Sequence, residues 1–349
     1  MQECHILSDF EADQWGKQIS THSLFYTTGT NRTNGNIVLI KKEYREKTNV
    51  ILQNDRILLL EFETRDRLFL VLNIYAPQGT REKIRFFEQI KEIVENHLTP
   101  QHALILLGDF NVAVNKELDI ITGDSHHQSE IDSLNDLVKS LELTDSWRAL
   151  HLEDKEYTWS RNSPFIARRI DYIFISGSLV ENLQESKIIT VPFTDHRAVE
   201  TCFSFHNFTK GPSYWKFNNS LLRDKAYLDE TNTLIEKIKV ETLGLEPHSR
   251  LEMCKIKIKE NTMNYCKKKS KKTKNHIREL ENNLNELDKK LGFNFDETLL
   301  KQKNDLKSEL EIIATEKANG AHIRARAKYV EKGEKQTKYF LSLEKNPSK

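Results

Sequence analysis

The sequence lacks the features that mark disulfide-stapled, zinc-binding or membrane-spanning chains. Its 349 residues include four cysteines with no CxxC spacing, which disfavours both a disulfide framework and a zinc site. No run reaches the ~18 consecutive apolar residues of a membrane span, and no secretory leader is visible. We therefore expect a protein of a reducing compartment, nuclear or cytoplasmic, with no membrane partner.

Net charge is also nearly absent, because 53 basic residues offset 52 acidic ones to leave +1. This balance neither favours nor excludes nucleic acid as a partner. Hydrophobic residues make up 38% and charged residues 30%, a polar but globular composition. The length leaves room for about two domains of ~100–200 residues each.

The first part of the chain, to about residue 205, alternates short apolar runs with turn residues. These runs are rich in β-branched and aromatic residues and predict strands at 36–40, 57–63, 67–75, 103–110, 168–176 and 198–205. Apolar residues near a 3.6-residue period predict helices at 81–98 and 129–143, the second with Ser129 as its N-cap. Strands interrupted by helices predict an α/β fold built as a layered sandwich over residues 1–205.

The strands stop after residue 206, and residues 206–349 are predicted to form a linker region that is helical from about 221 to 345. Leucine and isoleucine follow heptad spacing at positions 277, 280, 284, 287 and 291, and again at 299, 306, 310 and 313. The segment GFNFD at 292–296 separates the two runs, so we predict an antiparallel helical hairpin. The heptad pattern is typical of a solvated helical linker or of a coiled coil that binds a partner. The basic run 267–274 could contact nucleic-acid phosphates or form only a solvated surface.

Polar side chains gather where the predicted strands meet loops, the usual place for a site on a rigid scaffold. Asp109 and Asn111 follow one strand, and one intervening residue lets them face the same side if the extended geometry persists. Tyr75 ends the preceding strand, Asp171 lies near the start of another, and Asp195 with His196 precedes the last. Each signal alone is weak, because Gly, Asp and Asn also form ordinary turns and Asp171 could simply pair with a neighbouring arginine.

Together these residues form a chemically coherent set for attack on a phosphodiester. The carboxylates of Glu3 and Asp195 are hard oxygen ligands suited to Mg²⁺ or Mn²⁺. His196 can donate to a phosphate when protonated, with Asp171 orienting its other ring nitrogen. The remaining candidates contact water or phosphate: Asp109 for the attacking water, Asn111 for that water or a phosphoryl oxygen, and Tyr75 for a phosphate oxygen.

The ordered segments QE, NIYAP, GDFN, RIDYIF and TDHRAV, which begin at residues 2, 73, 108, 169 and 194, resemble the endonuclease/exonuclease/phosphatase superfamily. More narrowly, they resemble the endonuclease of LINE-type, non-LTR retrotransposons. The resemblance implies a four-layered α/β sandwich and a divalent metal held by Glu3 and Asp195. It also implies that Asp109 and Asn111 act on water and phosphate and that Asp171 pairs with His196, but it does not decide whether Asp109 or His196 is the base.

Further segments resemble the same retrotransposon proteins. Residues 158–172 resemble a hairpin that helps to select the DNA site, with Thr158 at the position of a phosphate-contacting threonine and Arg168 as a second candidate substrate-binding residue. SYWKFNNSLL (213–222) and GEKQTKYFLSLEK (333–345) resemble the stretches that follow the endonuclease and precede the reverse transcriptase. Phosphatases and repair endonucleases of the superfamily do not carry this pair.

The resemblance implies a fragment of a longer protein, truncated at both ends, with a first strand and a reverse transcriptase domain missing. The implied activity is a metal-dependent nick in DNA that leaves a 3′-hydroxyl primer. The alternative is a catalytically weak remnant that only binds nucleic acid or a coiled-coil partner; element RNA is a further candidate partner for the basic helices. A different superfamily enzyme, such as a phosphatase or sphingomyelinase, is disfavoured by the C-terminal segments.

Overall fold

The computed structural model describes residues 1–333 except 3, 5, 20, 29–34, 66, 124–125, 163–164, 192–193, 206–214 and 294–295. For residues 18, 293 and 321–333 it describes the backbone alone. The chain divides into two compact units. Met1–Phe205 with Leu284–Lys349 forms the first, and His206–Asn283 forms the second. The helical region is divided between the two units, because its C-terminal part belongs with the first unit. The predicted domain boundary at residue 206 stays a prediction.

The described residues form twelve strands and seven α-helices, with short 3₁₀ turns at Lys42–Lys47 and Asn219–Arg223. The strands are β1 (His22–Tyr26), β2 (Ile37–Lys41), β3 (Thr48–Gln53), β4 (Ile57–Glu63), β5 (Leu68–Tyr75), β6 (His102–Asp109), β7 (Leu143–Asp145), β8 (Trp159–Asn162), β9 (Phe165–Arg168), β10 (Asp171–Ser176), β11 (Leu183–Thr190) and β12 (Arg197–Phe203). The helices are α1 (Asp9–Gln18), α2 (Thr80–His97), α3 (Gln128–Ser140), α4 (Gly177–Val180), α5 (Lys225–Glu241), α6 (Pro247–Phe293) and α7 (Glu297–Gly333).

A six-stranded sheet lies at the centre of the first unit, in the order β3-β4-β5-β6-β10-β7. Only β5 and β6 pair in parallel, and α2 connects them as a crossover helix. Seven of the eight residues of β5 are buried, because both faces of the sheet are covered.

The layers on the two faces differ. Helices α2 and α3 cover one face through a core that includes Leu72, Phe87 and Leu134. Strands β11 and β12 cover part of the other face, where Phe203 contacts the cluster around Phe69. The β1–β2 pair covers the part over β4, and α1 packs on the outside of that pair. The resulting order, helix, sheet, paired strands, helix, confirms the predicted α/β sandwich.

Some predicted boundaries are wrong for local reasons. The predicted strand 168–176 is two strands, because Arg169 leaves the sheet and its backbone N–H donates to the carbonyl of Asp119 at 2.9 Å. Helix α3 is capped by His127 instead of Ser129, since the first helical N–H groups donate to the His127 carbonyl. No sequence pattern predicted α1, the short helix α4, or strands β1, β3, β7 and β11.

The helical region contributes to both units. In the second unit, α5 and the part of α6 before residue 284 are joined by a Tyr227–Thr262 hydroxyl pair at 2.7 Å and by Lys269, whose Nζ lies 2.6 Å from Asp224. In the first unit, Leu291 of α6 packs with Phe165 of β9. None of the described helices is both long and apolar enough to cross a membrane.

A buried charge cluster joins the ends of the helical hairpin to β12 within the first unit. Asp288 of α6 faces two cations: Arg197 Nη2 lies 2.5 Å from one carboxylate oxygen and Lys303 Nζ of α7 lies 2.8 Å from the other. The side chains of all three are at most 9% exposed. Because Asp288 lies just before the break and Lys303 just after it, their contact requires the antiparallel hairpin that the heptad pattern predicted.

Replacing Asp288 with Asn removes the carboxylate that pairs with both buried cations, Arg197 and Lys303. We expect the free energy of unfolding to fall by about 3 kcal/mol, as when one member of a buried ion pair is removed. Urea unfolding followed by circular dichroism measures this loss. Glu286→Gln, at an exposed position of the same helix, is the matched control. Equal midpoints for the two variants would contradict the structural role assigned to Asp288.

Candidate active site

Three candidate residues lie side by side where neighbouring strands begin or end. The pairing register places Tyr75, the last residue of β5, opposite Asp109, the last residue of β6. The same Asp109 lies opposite Asp171, the first residue of β10. Adjacent strands are about 4.8 Å apart, so the sheet itself gathers these side chains at one edge.

Gly108 permits the close approach of β5 and β6 at this edge. Its φ is +142°, in a region that favours glycine, and a Cβ atom there would lie 2.0 Å from the carbonyl oxygen of Ile74. The glycine therefore allows Asp109 to lie directly beside the end of β5.

The turn after β6 positions Asn111 by a different geometry from the extended one that the sequence suggested. Asn111 has a φ of +52°, a left-handed conformation that asparagine tolerates better than most residues. Its backbone N–H donates to Asp109 Oδ1 at 2.8 Å and its side-chain amide donates to the Ala76 carbonyl at 2.8 Å. A tight turn, and not strand alternation, brings Asp109 and Asn111 to the same pocket.

His196 lies against Asp171, with its Nδ1 at 3.0 and 3.2 Å from the two carboxylate oxygens. Burial alone would lower the pKa of His196, but the hydrogen bond and charge of Asp171, together with Asp109 and Asp195, raise it to about 9. The imidazolium form therefore prevails at neutral pH in the metal-free protein. Both ring nitrogens then carry protons, and Nδ1–H donates to Asp171.

The donor set suits a divalent cation. The carboxylates of Asp109 and Asp171 each place an oxygen within 4.8 Å of the other and of a His196 ring nitrogen. The His196 imidazolium has no free lone pair for a metal, so the carboxylates are the candidate ligands. Asp195, predicted as a metal ligand, is exposed beside them, and its Oδ2 accepts a hydrogen bond from Trp159 Nε1 at 2.8 Å. Carboxylate oxygens are the ligands that Mg²⁺ and Mn²⁺ prefer, so the residues present fit such an ion.

Glu3, the other predicted metal ligand, lies outside the described residues. The residues on either side of it are held in place near the site. Gln2 donates to the buried Asn73 of β5 at 2.6 Å, and the Cys4 backbone N–H donates to the Gly35 carbonyl at 3.0 Å.

The β8–β9 hairpin adjoins the loop that carries Asp195 and His196. Trp159 and His196 form an isolated antiparallel bridge, and the Arg197 N–H donates to the Thr158 carbonyl at 2.6 Å. The Thr158 side chain is fully buried, and its hydroxyl accepts from the N–H groups of Ile170 and Asp171. Thr158 thus fixes the start of β10, where the sequence analysis expected a substrate contact.

A pocket of about 570 Å³ opens beside these groups. It is lined by Tyr75, Gln78, Lys83, Asp109, Asn111, His126, Glu130, Trp159, Arg168, Ile170, Asp195 and His196. Six of the predicted residues therefore share one cavity: Tyr75, Asp109, Asn111, Asp195, His196 and Arg168. Asp171 lines an adjoining cleft of about 620 Å³ together with Asp109 and His196.

The sequence analysis missed Lys83, Glu130, His126 and Trp159. Lys83 falls on the buried face of α2, three and four residues before Phe86 and Phe87, and Glu130 falls on the buried face of α3. Two opposite charges at apolar positions of two helices were a readable signal of a buried ion pair. No comparable signal marked His126 or Trp159.

Comparison with known proteins gives matches in sequence and in structure. Residues 1–196 match the model of the Endonuclease/Exonuclease/phosphatase family. A transposon TX1 protein of Xenopus laevis, described as an uncharacterized 149 kDa protein, is 27% identical over 372 residues, 99% of this chain. The chain spans about a quarter (26%) of the length of that curated relative.

The solved structures that the fold resembles have low sequence identity. AP endonuclease LMAP from Leishmania major is 16% identical with a TM-score of 0.50, covering 57% of this chain and 76% of that one. The endonuclease domain of TRAS1, a telomere-specific non-LTR retrotransposon, is 16% identical with a TM-score of 0.42, covering 53% and 81% of the respective chains.

Asp171→Asn removes the partner that keeps His196 protonated. In the metal-free protein we expect the pKa of His196 to fall from about 9 toward its ordinary value of 6.5. The pKa of His196 is higher in the folded protein than in the unfolded chain. The Asp171–His196 pair therefore contributes its full stabilisation of the fold below pH 6.5, and this contribution is lost as the pH rises through 9. NMR titration of the His196 imidazole measures the pKa shift. Asp136→Asn, at an exposed position of α3, is the control. An unchanged His196 titration in Asp171→Asn would contradict the pairing.

Proposed function

The chain belongs to the endonuclease/exonuclease/phosphatase family, and we propose that it is a Mg²⁺- or Mn²⁺-dependent DNA endonuclease. It would hydrolyse one phosphodiester and leave a 3′-hydroxyl that primes reverse transcription of a retrotransposon. The observation that carries this proposal is the Asp171–His196 pair beside Asp109, assembled at adjoining strand ends next to a polar pocket.

The protonation state of each side chain determines its proposed role in the reaction. Because Asp171 accepts a hydrogen bond from Nδ1–H of His196 and favours the imidazolium form, Nε2–H is available to donate to a phosphoryl oxygen. Asp109 is then the group that orients the attacking water and accepts its proton. Asn111 and Tyr75, which line the same pocket, position that water or a phosphoryl oxygen.

Asp195, with Glu3 as the second expected carboxylate, would hold the cation. A bound divalent ion neutralises charge on the phosphate and stabilises the oxygen that leaves. This chemistry matches the exposed, hydrogen-bonded position of Asp195 at the edge of the pocket.

The relative is a transposon protein, which supports a role of the nick in transposition. Priming of reverse transcription and a nuclear or cytoplasmic site of action stay predictions. This chain spans 26% of that relative. Reverse transcription is therefore proposed for a retrotransposon protein as a whole and is not assigned to the residues described here. An RNA contact through residues 267–274 and a coiled-coil partner stay predictions.

Nicking of supercoiled plasmid in Mg²⁺ tests the proposal. We expect relaxed circles that EDTA abolishes, and a loss of about 10²–10⁴-fold in rate for Asp109→Asn or His196→Ala, as for removal of an acid or base. Asp136→Asn should nick like the unmodified chain. Nicking that survives both active-site changes would overturn the site assignment, and no nicking by the unmodified chain would favour a remnant that only binds.

A further inference from the structure

A series of charged and polar side chains extends into the pocket from the turn that carries Asp109 and Asn111, called here the catalytic turn. Lys83 is buried, with its side chain 2% exposed, and its Nζ donates to the Asn111 carbonyl at 2.7 Å and to Glu130 Oε2 at 3.1 Å. The hydroxyl of Thr80 donates to the other oxygen of Glu130. These contacts fix the Glu130 carboxylate from both sides.

His126 continues the series from Glu130 to Arg168. Its Nδ1 lies 3.3 Å from Glu130 Oε2, and its Nε2 lies 3.3 Å from Arg168 Nη1. Arginine can only donate, so Nε2 must accept and Nδ1–H must donate to Glu130. Burial and the positive charges of Arg168 and Lys83 lower the pKa of His126 to about 4, in keeping with this neutral tautomer.

We infer that His126, Glu130 and Lys83 are positioning residues that hold Arg168 as a second phosphate subsite, one that binds a phosphate of the nucleic-acid strand other than the scissile one. This inference rests on the proposed function and adds a contact with the DNA strand beside the scissile phosphate. The series Lys83–Glu130–His126–Arg168 ties the orientation of that subsite to the backbone of Asn111 in the catalytic turn.

The position of Arg168 supports a separate phosphate. In the β8–β9 register Arg168 lies opposite Trp159, and Trp159 bridges to His196. Two strand spacings, about 9–10 Å, therefore separate the backbones of Arg168 and His196. Arg168 Nη1 lies 3.3 Å from His126 Nε2, and Arg168 is partly exposed and lines the pocket. Guanidinium groups bind phosphate oxygens through two parallel N–H donors.

Binding of a fluorescent DNA duplex in EDTA, followed by anisotropy at several salt concentrations, tests the subsite without any catalysis. Arg168→Met should weaken binding roughly 10-fold and reduce the slope of log Kd against log salt concentration by about 1, the loss of one phosphate contact. His126→Leu should weaken binding several-fold. Its matched control is His127→Leu, at the adjacent exposed histidine, which should bind like the unmodified chain.

His126→Gln separates positioning from folding, because its amide can accept from Arg168 and donate to Glu130. We expect it to retain most of the affinity that His126→Leu loses. Arg168→Met combined with His126→Leu should bind no more weakly than Arg168→Met alone, since both act through one guanidinium. Additive losses, an unchanged salt slope in Arg168→Met, or equal binding by His126→Leu and His127→Leu would each overturn the inference.

Cleavage measurements distinguish this inference from the proposed function. The loss in His126→Leu should be larger for a DNA duplex, through a higher KM, than for bis(p-nitrophenyl) phosphate, which carries a single phosphate. Equal losses on both substrates would make His126 part of the reaction or of folding, against the inference. A chain that binds DNA with the predicted salt slopes but cleaves neither substrate would overturn the proposed function alone.

Discussion

The pairing of β6 with β5 on one side and β10 on the other is the constraint on which the site depends. It places Tyr75, Asp109 and Asp171 in one row across the sheet, and Gly108 makes the approach close enough. Each side chain is therefore positioned by a ladder of backbone hydrogen bonds and by a core buried on both faces. Side chains on such rigid elements lose little conformational entropy when a substrate binds. They can therefore keep the alignment that in-line attack on a phosphate requires.

The groups that complete the site come from loops, and buried charges hold these loops. His196 is fixed by Asp171 on one side, while its neighbour Arg197 is fixed by Asp288 of the helical hairpin, whose other carboxylate oxygen pairs with Lys303. On the other side of the pocket, Lys83 holds the catalytic turn through the Asn111 carbonyl. Buried ions are costly unless paired, so each of these pairs restricts its loop to one arrangement. The C-terminal end of α6 and the start of α7 are thus structural parts of the sheet unit.

Much of this arrangement could be predicted from the sequence, because apolar runs and turn residues mark the central strands directly. The polar residues at their ends, Asp109 and Asp171, were found because they interrupt such runs. Side chains whose positions depend on tertiary contacts could not be placed from the sequence. Thr158, for example, was expected at the substrate, but its hydroxyl accepts from two backbone N–H groups in the interior. Local periodicity also cannot report a contact such as His126 with Arg168, which are 42 residues apart. Strand β11 was missed because its polar residues alternate only weakly with apolar ones.

In the proposed reaction, water attacks the phosphorus of a DNA phosphodiester and the 3′-oxygen leaves. Cleavage of a duplex oligonucleotide in ¹⁸O-labelled water, with Mg²⁺ and mass analysis of both products, tests it most directly. We predict one ¹⁸O atom in a 5′-phosphate and an unlabelled 3′-hydroxyl that a DNA polymerase can extend. A 3′-phosphate or a cyclic phosphate product would contradict the account.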